Sequence, residues 1–207
     1  MHKAAIMAVV LLAAAAGQGR AQVAPGVSEA RRLLQGAANP DDFADLSSGG
    51  LISLKHKPSG LVCPFGPEPL GNSLHASPEG LICEMGGASE IDTLYAFHIP
   101  KASDTDVQEA VGRAMGPFRG AQPVSGFADA QSERPNAPSH VSRRFVAAAQ
   151  NGQVFVRIAY SQVGDWFVLQ RVLSTPGSAQ LADSDAERRL VAAIGQVMDR
   201  QAPGAGR

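Results

Sequence analysis

Apolar and polar residues alternate with a period of two through much of this chain, and the alternation is sharpest over residues 91–99. There Ile91, Thr93, Tyr95, Phe97 and Ile99 fall on one side and Asp92, Leu94, Ala96 and His98 on the other, which predicts a strand ended by Pro100. Residues 51–57 behave alike, with Ile52, Leu54 and His56 opposite Ser53, Lys55 and Lys57. Residues 61–65 and 81–85 read as two short strands, each preceded by a Pro-x-Gly turn. Further on, 140–150 leads through Asn151-Gly152, a strong two-residue hairpin signal, into 153–162, where Val154, Val156, Ile158 and Tyr160 share a face. Val163-Gly164-Asp165 turns the chain once more into 166–174. That stretch is apolar on both faces: Trp166, Val168 and Val172 against Phe167, Leu169 and Leu173. Such a strand belongs at the centre of a sheet covered from both sides.

The period changes to that of a helix in two places. Over 104–115, Val107, Ala110, Val111, Ala114 and Met115 form one stripe, with Ser103 or Asp104 as the cap and Gly116-Pro117 as the stop. Near the C-terminus Leu190, Val191, Ile194, Val197 and Met198 form a second stripe reaching about Arg200. Ser184, with Glu187 three residues on, reads as its capping box. Residues 201–207 read as a disordered tail. Residues 22–50 read as an N-terminal helical segment: a helix capped by Ser28 and ended by Gly36, a turn opened by Asn39-Pro40 that passes Phe43 and Leu46, and a Ser/Gly loop at 47–50. Residues 119–140, rich in proline, glycine and polar residues, predict a long loop of the kind that often carries function.

The expected architecture is a single α+β domain over 51–200, an antiparallel β-sheet flanked by amphipathic helices. Over roughly those residues the element order resembles that of PsbP-like folds, which implies an antiparallel sheet lying between helices. That fold hosts unrelated roles, so the resemblance implies no activity.

Residues 1–21 change the picture of where the protein resides. Lys3, the apolar run from Ala4 to Ala16, and Gly19-Arg20-Ala21 have the form of a cleavable signal peptide. Thirteen helical residues would span roughly 20 Å, short of the ~30 Å bilayer core, which disfavours a stable membrane anchor. The alanine-, glycine- and arginine-rich composition fits a bacterial envelope, so a periplasmic or secreted location is expected. Charge adds little: 18 Lys and Arg face 19 Asp and Glu, and aromatic residues make up 5% of the chain. Neither balance suits nucleic acid.

Export gives the two cysteines a meaning. Pro58-Ser59-Gly60-Leu61-Val62-Cys63-Pro64-Phe65-Gly66 recurs 20 residues later as Pro78-Glu79-Gly80-Leu81-Ile82-Cys83-Glu84-Met85-Gly86. In an oxidising compartment the expectation is a Cys63–Cys83 disulfide joining two similar strands that lie side by side. A redox pair would sit in C-x-x-C.

Candidate chemistry is thin. His56, His75, His98 and His140 lack ligand spacing with one another or with the cysteines, so no metal and no cofactor is expected. There is no G-x-S-x-G and no S-x-x-K, and Ser59 and Ser73 carry no nucleophile signature. Arg143 and Arg144 are expected to face solvent or pair with acids. The functional expectation is a non-catalytic binding or accessory module with a protein or small-molecule partner of unknown identity. The alternatives are a carrier of hydrophobic ligands, which needs an unfilled apolar pocket between sheet and helices, and a small hydrolase, which needs a polar cluster under 119–140.

Overall fold

The structure is a computed structural model that describes residues 25–202, apart from 67–70, 88, 117, 119, 130, 131, 133 and 151, and gives only the backbone of 25–28. The expected signal peptide and most of the expected tail lie outside these residues. The elements are α1 (Pro25–Leu34), a 3-10 turn (Pro40–Asp42), β1 (Phe43–Asp45), β2 (Ile52–His56), β3 (Val62–Phe65), β4 (Ser73–Ser77), β5 (Gly80–Gly86) and β6 (Glu90–His98). There follow α2 (Asp104–Met115), β7 (Gln122–Pro123), β8 (Val141–Ala149), β9 (Gly152–Val163), β10 (Trp166–Ser174), a 3-10 turn (Pro176–Ser178) and α3 (Ala179–Gln201). The α+β class is as expected.

All strand pairs are antiparallel, in two sheets: β1-β2-β3, and the seven-stranded β4-β5-β6-β10-β9-β8-β7. Doubly apolar β10 is the central strand of the larger sheet, flanked by β6 and β9. One face of that sheet carries α2, whose Ala110 and Ala114 pack with Val156, Ile158, Phe167 and Leu169. Ser103 caps α2, its hydroxyl accepting from the Asp106 N–H while the Asp106 carboxylate accepts from the Ser103 N–H. The other face carries α3 and the small sheet, closing a core of Leu54, Leu61, Phe65, Leu81, Leu94, Val168, Leu190, Ile194 and Val197.

The repeated nonapeptide is the visible half of a longer duplication. Each copy forms the turn and second strand of a hairpin: β2 to β3 around Pro58-Ser59-Gly60, β4 to β5 around Pro78-Glu79. The registers coincide, with Ser53↔Pro64, Leu54↔Cys63 and Lys55↔Val62 in the first, and Ser73↔Glu84, Leu74↔Cys83 and His75↔Ile82 in the second. The matching sequence therefore extends back to Ser53-Leu54 and Ser73-Leu74. Leu54, Leu61, Leu74 and Leu81 are all buried in the same core. The disulfide forms, with Cα atoms 5.9 Å apart. The cysteine strands are not neighbours in one sheet as expected: β3 pairs with β2, β5 lies between β4 and β6, and the bond bridges the two sheets. The reason is that each copy of the repeat already finds its hydrogen-bonding partner within its own hairpin.

Further expectations are corrected. Residues 22–50 are not a wholly helical segment, because Phe43–Asp45 forms β1 against β2, and α1 begins at Pro25, ahead of Ser28. The 47–50 loop is the end of the β1–β2 hairpin: Leu46 N–H donates to Ser53 O, and Ser48 and Leu51 exchange hydrogen bonds across Gly49-Gly50. Those glycines have φ of 58° and 84°, the paired left-handed geometry that suits a two-residue hairpin turn. Lastly, α3 starts at Ala179, so Ser184 is an interior residue and no capping box opens the helix there. Its other end includes Gln201, whose amide donates to Val163 O.

Candidate functional site

The chemistry-bearing side chains gather between α3 and the face of β8, β9, β10 and β6 that α3 covers. Register places them. Arg144 on β8 is opposite Arg157 on β9, Arg157 is opposite Val172 on β10, and Val172 is opposite Asp92 on β6. One pair of residues toward the other end of the strands, Ser142 is opposite Ala159, Ala159 opposite Gln170, and Gln170 opposite Leu94. These two rows point the same way, because side chains two apart on a strand share a face.

Two arginines directly opposite each other repel. What lets them coexist is α3, which presents Asp183 and Glu187, four residues apart and so on one side of the helix. Arg144 grips Asp183 with two bonds, Nε to Oδ1 at 2.7 Å and Nη2 to Oδ2 at 3.2 Å. Arg157 Nε lies 3.2 Å from the same Oδ1, and its Nη2 donates to Glu187 Oε2. The remaining Arg157 donors reach Gln170 Oε1 at 2.5 Å and Ser142 Oγ at 3.1 Å. His140 Nε2 meets Glu187 Oε1 at 2.5 Å. The chain of contacts continues through Gln170 Nε2 to Asp92 Oδ2 at 2.8 Å, and Arg189 Nε holds the same oxygen at 2.5 Å while its Nη2 pairs with Glu90.

Burial makes this a low-dielectric cluster. Arg157 is 0% exposed, Glu187 2%, Asp183 3% and Asp92 3%. Burial pushes the Glu187 carboxyl up, but His140 and Arg157 outweigh it and hold it below its ordinary value. For Asp92 burial wins over Arg189 and Gln170, and its pKa is pushed up to about 6. Burial likewise brings the Arg157 guanidinium down from its usual value.

Residues 121–129 and 134–140 lie along the outer side of this cluster as a strap. Asp129 pairs with Arg144 Nη2 at 2.7 Å. Phe127 stacks on Phe155, ring centroids 5.2 Å apart, and lies 5.4 Å from the Arg144 guanidinium carbon. Arg134 ties the strap to α3 through Gly195 O and Asp199, and Ser139 O accepts from Ser161 at 2.9 Å.

The structure thus brings His140, Ser142 and Arg144 together and disperses the other singled-out residues. Cys63 and Cys83 are fully buried between the sheets. His56 is buried, bonded to Ser59 Oγ at 2.9 Å and set edge-on to Trp166, with burial lowering its pKa. His75 and His98 are exposed, and among the described residues no group of three His, Cys, Asp or Glu is arranged to hold a metal. Ser59 and Ser73 lie apart from the cluster, in the β2–β3 turn and on β4. An open groove of about 440 Å³ lies at the far edge of the sheet, lined by Ala37, His75, Ala76, Ile82 and Phe97. It is not the pocket between sheet and helices that the carrier alternative requires.

Asp183, Glu187, Arg157 and Gln170 escaped sequence reasoning. A signal existed: Asp183 and Glu187 continue the stripe of Leu190, Ile194 and Val197 toward the N-terminus, so extending the helix backward puts both acids on its buried side.

No protein-family model matches the chain, and no curated protein matches it in sequence. Among solved structures it is similar to PA94 of Pseudomonas aeruginosa, a protein of unknown function described as a candidate regulator, at 8% identity and a TM-score of 0.34, over 58% of this chain and 94% of that one. It is also similar to the Saccharomyces cerevisiae Ran-binding protein Mog1p at 10% identity and a TM-score of 0.32, over 76% of this chain and 90% of that one.

Proposed function

We propose that the chain is an exported, non-catalytic binding or accessory module of the bacterial envelope. The observation that supports this most is the closure of the cluster on itself. Arg144 and Arg157 are engaged by Asp183, Glu187, Gln170 and Asp129, leaving a neutralised joint in place of a poised reactive group. The hydrolase alternative has its polar cluster under the strap, and His140–Glu187 has the form of a base with its orienting carboxylate. Among the described residues it lacks the third member: Ser142, in the cluster, accepts from Arg157, and Ser161 donates to a backbone carbonyl. Export is supported by the leader sequence together with the buried disulfide, a bond that persists in oxidising compartments.

Native mass spectrometry of the protein purified from its own periplasm tests the reading. The expected result is a mature chain lacking residues 1–21, 2 Da lighter than its reduced form as a disulfide requires, with a retained partner or ligand. A bare, uncleaved or reduced chain that turns over ester or amide substrates would overturn it.

A further inference from the structure

The strap is a thin, exposed cover over a buried site. From β7 onward, residues 122–129 meet the body through β8, Phe155 and Arg144. Gln122 and Pro123 pair with Val146 and Phe145 of β8, and the Val124 N–H donates to Arg144 O at 3.0 Å. Phe127 lies on Phe155 and Asp129 on Arg144. Both residues of β7 are exposed, as are Ser125, Gly126 and Ala128, and the Asp129 side chain is 54% exposed. What lies below is the reverse: Phe155 is 0% exposed and Arg144 9%. Segments with few buried contacts are the ones that open at low free energy.

With this segment lifted, three recognition elements stand in line. One is the outer edge of β8, with main-chain groups free to pair. Another is the face of Phe155. The last is Arg144, held rigid from behind by its two bonds to Asp183. An edge that takes main-chain bonds, with pockets for particular side chains, is how sheets bind extended peptides. A pre-oriented guanidinium is a specific partner for a carboxylate. The strap uses all three: it pairs with the edge, stacks an aromatic ring, and places a carboxylate two residues later.

We propose that residues 122–129 are a stand-in, built into the chain, for a peptide segment of a partner protein. The partner segment is extended and acidic, with an aromatic residue two positions before a carboxylate, and it takes the β8 edge, the Phe155 face and Arg144 by displacing the strap. This rests on the binding-module reading and gives it a partner chemistry. A tethered competitor acts at an effective concentration in the millimolar range, so the free site is masked until the strap is loosened.

The test uses a fluorescein-labelled peptide with the sequence of residues 120–129, Gly-Ala-Gln-Pro-Val-Ser-Gly-Phe-Ala-Asp, and fluorescence anisotropy on the mature chain. Asp129→Asn loosens the latch at an exposed position and leaves the fold intact, as circular dichroism and a cooperative melt verify. Phe127→Ala/Asp129→Asn loosens it further. Binding to Asp129→Asn is expected to be roughly fivefold tighter than to the native chain, and to the double variant more than tenfold. Replacing the peptide's own Phe by Ala or its Asp by Asn abolishes the gain, and raised salt weakens binding. If folded Asp129→Asn binds this peptide no better than a scrambled one, the proposal fails. Exchange of straps between two copies without peptide binding also overturns it. A partner retained in native mass spectrometry but cross-linked elsewhere removes this proposal alone and leaves the module reading standing.

Discussion

One stripe of α3 meets the sheet in two chemically opposite ways. Its later turns place Leu190, Ile194 and Val197 in the apolar core formed by the paired hairpins and their disulfide. Its earlier turns place Asp183 and Glu187 among Arg144, Arg157 and His140. Apolar packing is non-directional and contributes in proportion to the area buried. A buried ion network brings little net stability over an apolar alternative, but each broken partner leaves a stranded charge. The apolar half therefore supplies the adhesion of helix to sheet, and the polar half fixes where along the sheet the helix lies. A helix resting on leucines alone can slide by a turn at modest loss; one whose two carboxylates must sit between two cross-strand arginines cannot.

The largest expected effect breaks the polar half. Glu187→Ala takes from Arg157, which is 0% exposed, the carboxylate on its Nη2 and leaves two guanidinium groups to share Asp183; it should destabilise by about 3–5 kcal/mol in urea unfolding. Replacing the set together with apolar residues of similar size, Arg157→Met with Asp183→Leu, Glu187→Leu and Arg144→Met, should recover most of that loss. If the single variant were neutral, the network would not be acting as described. Next comes the apolar half. Leu54→Ala, at a fully buried position of the duplicated hairpin, should cost about 3 kcal/mol, and Cys63→Ala/Cys83→Ala a similar amount by restoring loop entropy to the unfolded chain. Neither should alter the ion network, so their effects should add to that of Glu187→Ala within about 0.5 kcal/mol. Strong non-additivity would mean that the halves are one unit.

How much of this contrast was legible in the sequence follows the same division. The apolar half announced itself: alternation marked β6, a stretch apolar on both faces marked β10, the helical period marked α2 with the bounds observed, and the cysteine repeat marked the staple. β4 was missed because Ser73-Leu74-His75-Ala76-Ser77 offers a single large apolar residue, and its place is dictated by the hairpin it repeats. The pairing of the cysteine strands was misread because similarity between segments does not say whether they lie within a sheet or across two. The polar half stayed hidden for a physical reason. Arg157 sits between Val156 and Ile158 as an outward-facing residue of an amphipathic strand would, and Glu187 satisfies a capping box equally well. For Arg157 only long-range pairing reveals that it points inward; for Glu187 the one local signal is its place on the stripe of Leu190 and Ile194.

Acid sharpens the comparison within the network itself, because its two best-defined carboxyls respond in opposite directions. Asp92 has a folded pKa of about 6 against an ordinary 3.8. As pH falls from about 6 to 4 the folded state takes up this proton before the unfolded one, so the contribution of Asp92 to stability rises on acidification by about 2 kcal/mol. Glu187 is held below its ordinary 4.5, so its contribution is present above that value and is lost as pH falls through the folded pKa. Stability should therefore climb as pH falls from about 6 and collapse at lower pH, once Glu187 takes up its proton in the folded state. Asp92→Asn should flatten the climb and keep the collapse; a climb that persists in the variant would show that Asp92 is not the group responsible.

The smallest effect tests whether the apolar half owes its adhesion to burial alone. On β2 and its extension, Leu51 and Leu54 lie three residues apart and so on opposite faces, Leu51 being 64% exposed and Leu54 0%. Residue type, strand and hairpin are shared, and only the environment differs. Leu51→Ser removes as much side chain as a typical core truncation, yet takes little apolar area back into water, so its effect on the urea midpoint should be under about 0.5 kcal/mol. The same reasoning applies to Leu46, also on the outer face and 50% exposed. If Leu51→Ser approached the loss seen for Leu54→Ala, the outer face of the small sheet would have to be covered in solution, and β1–β3 would no longer be the simple apolar counterweight to the charged half of α3.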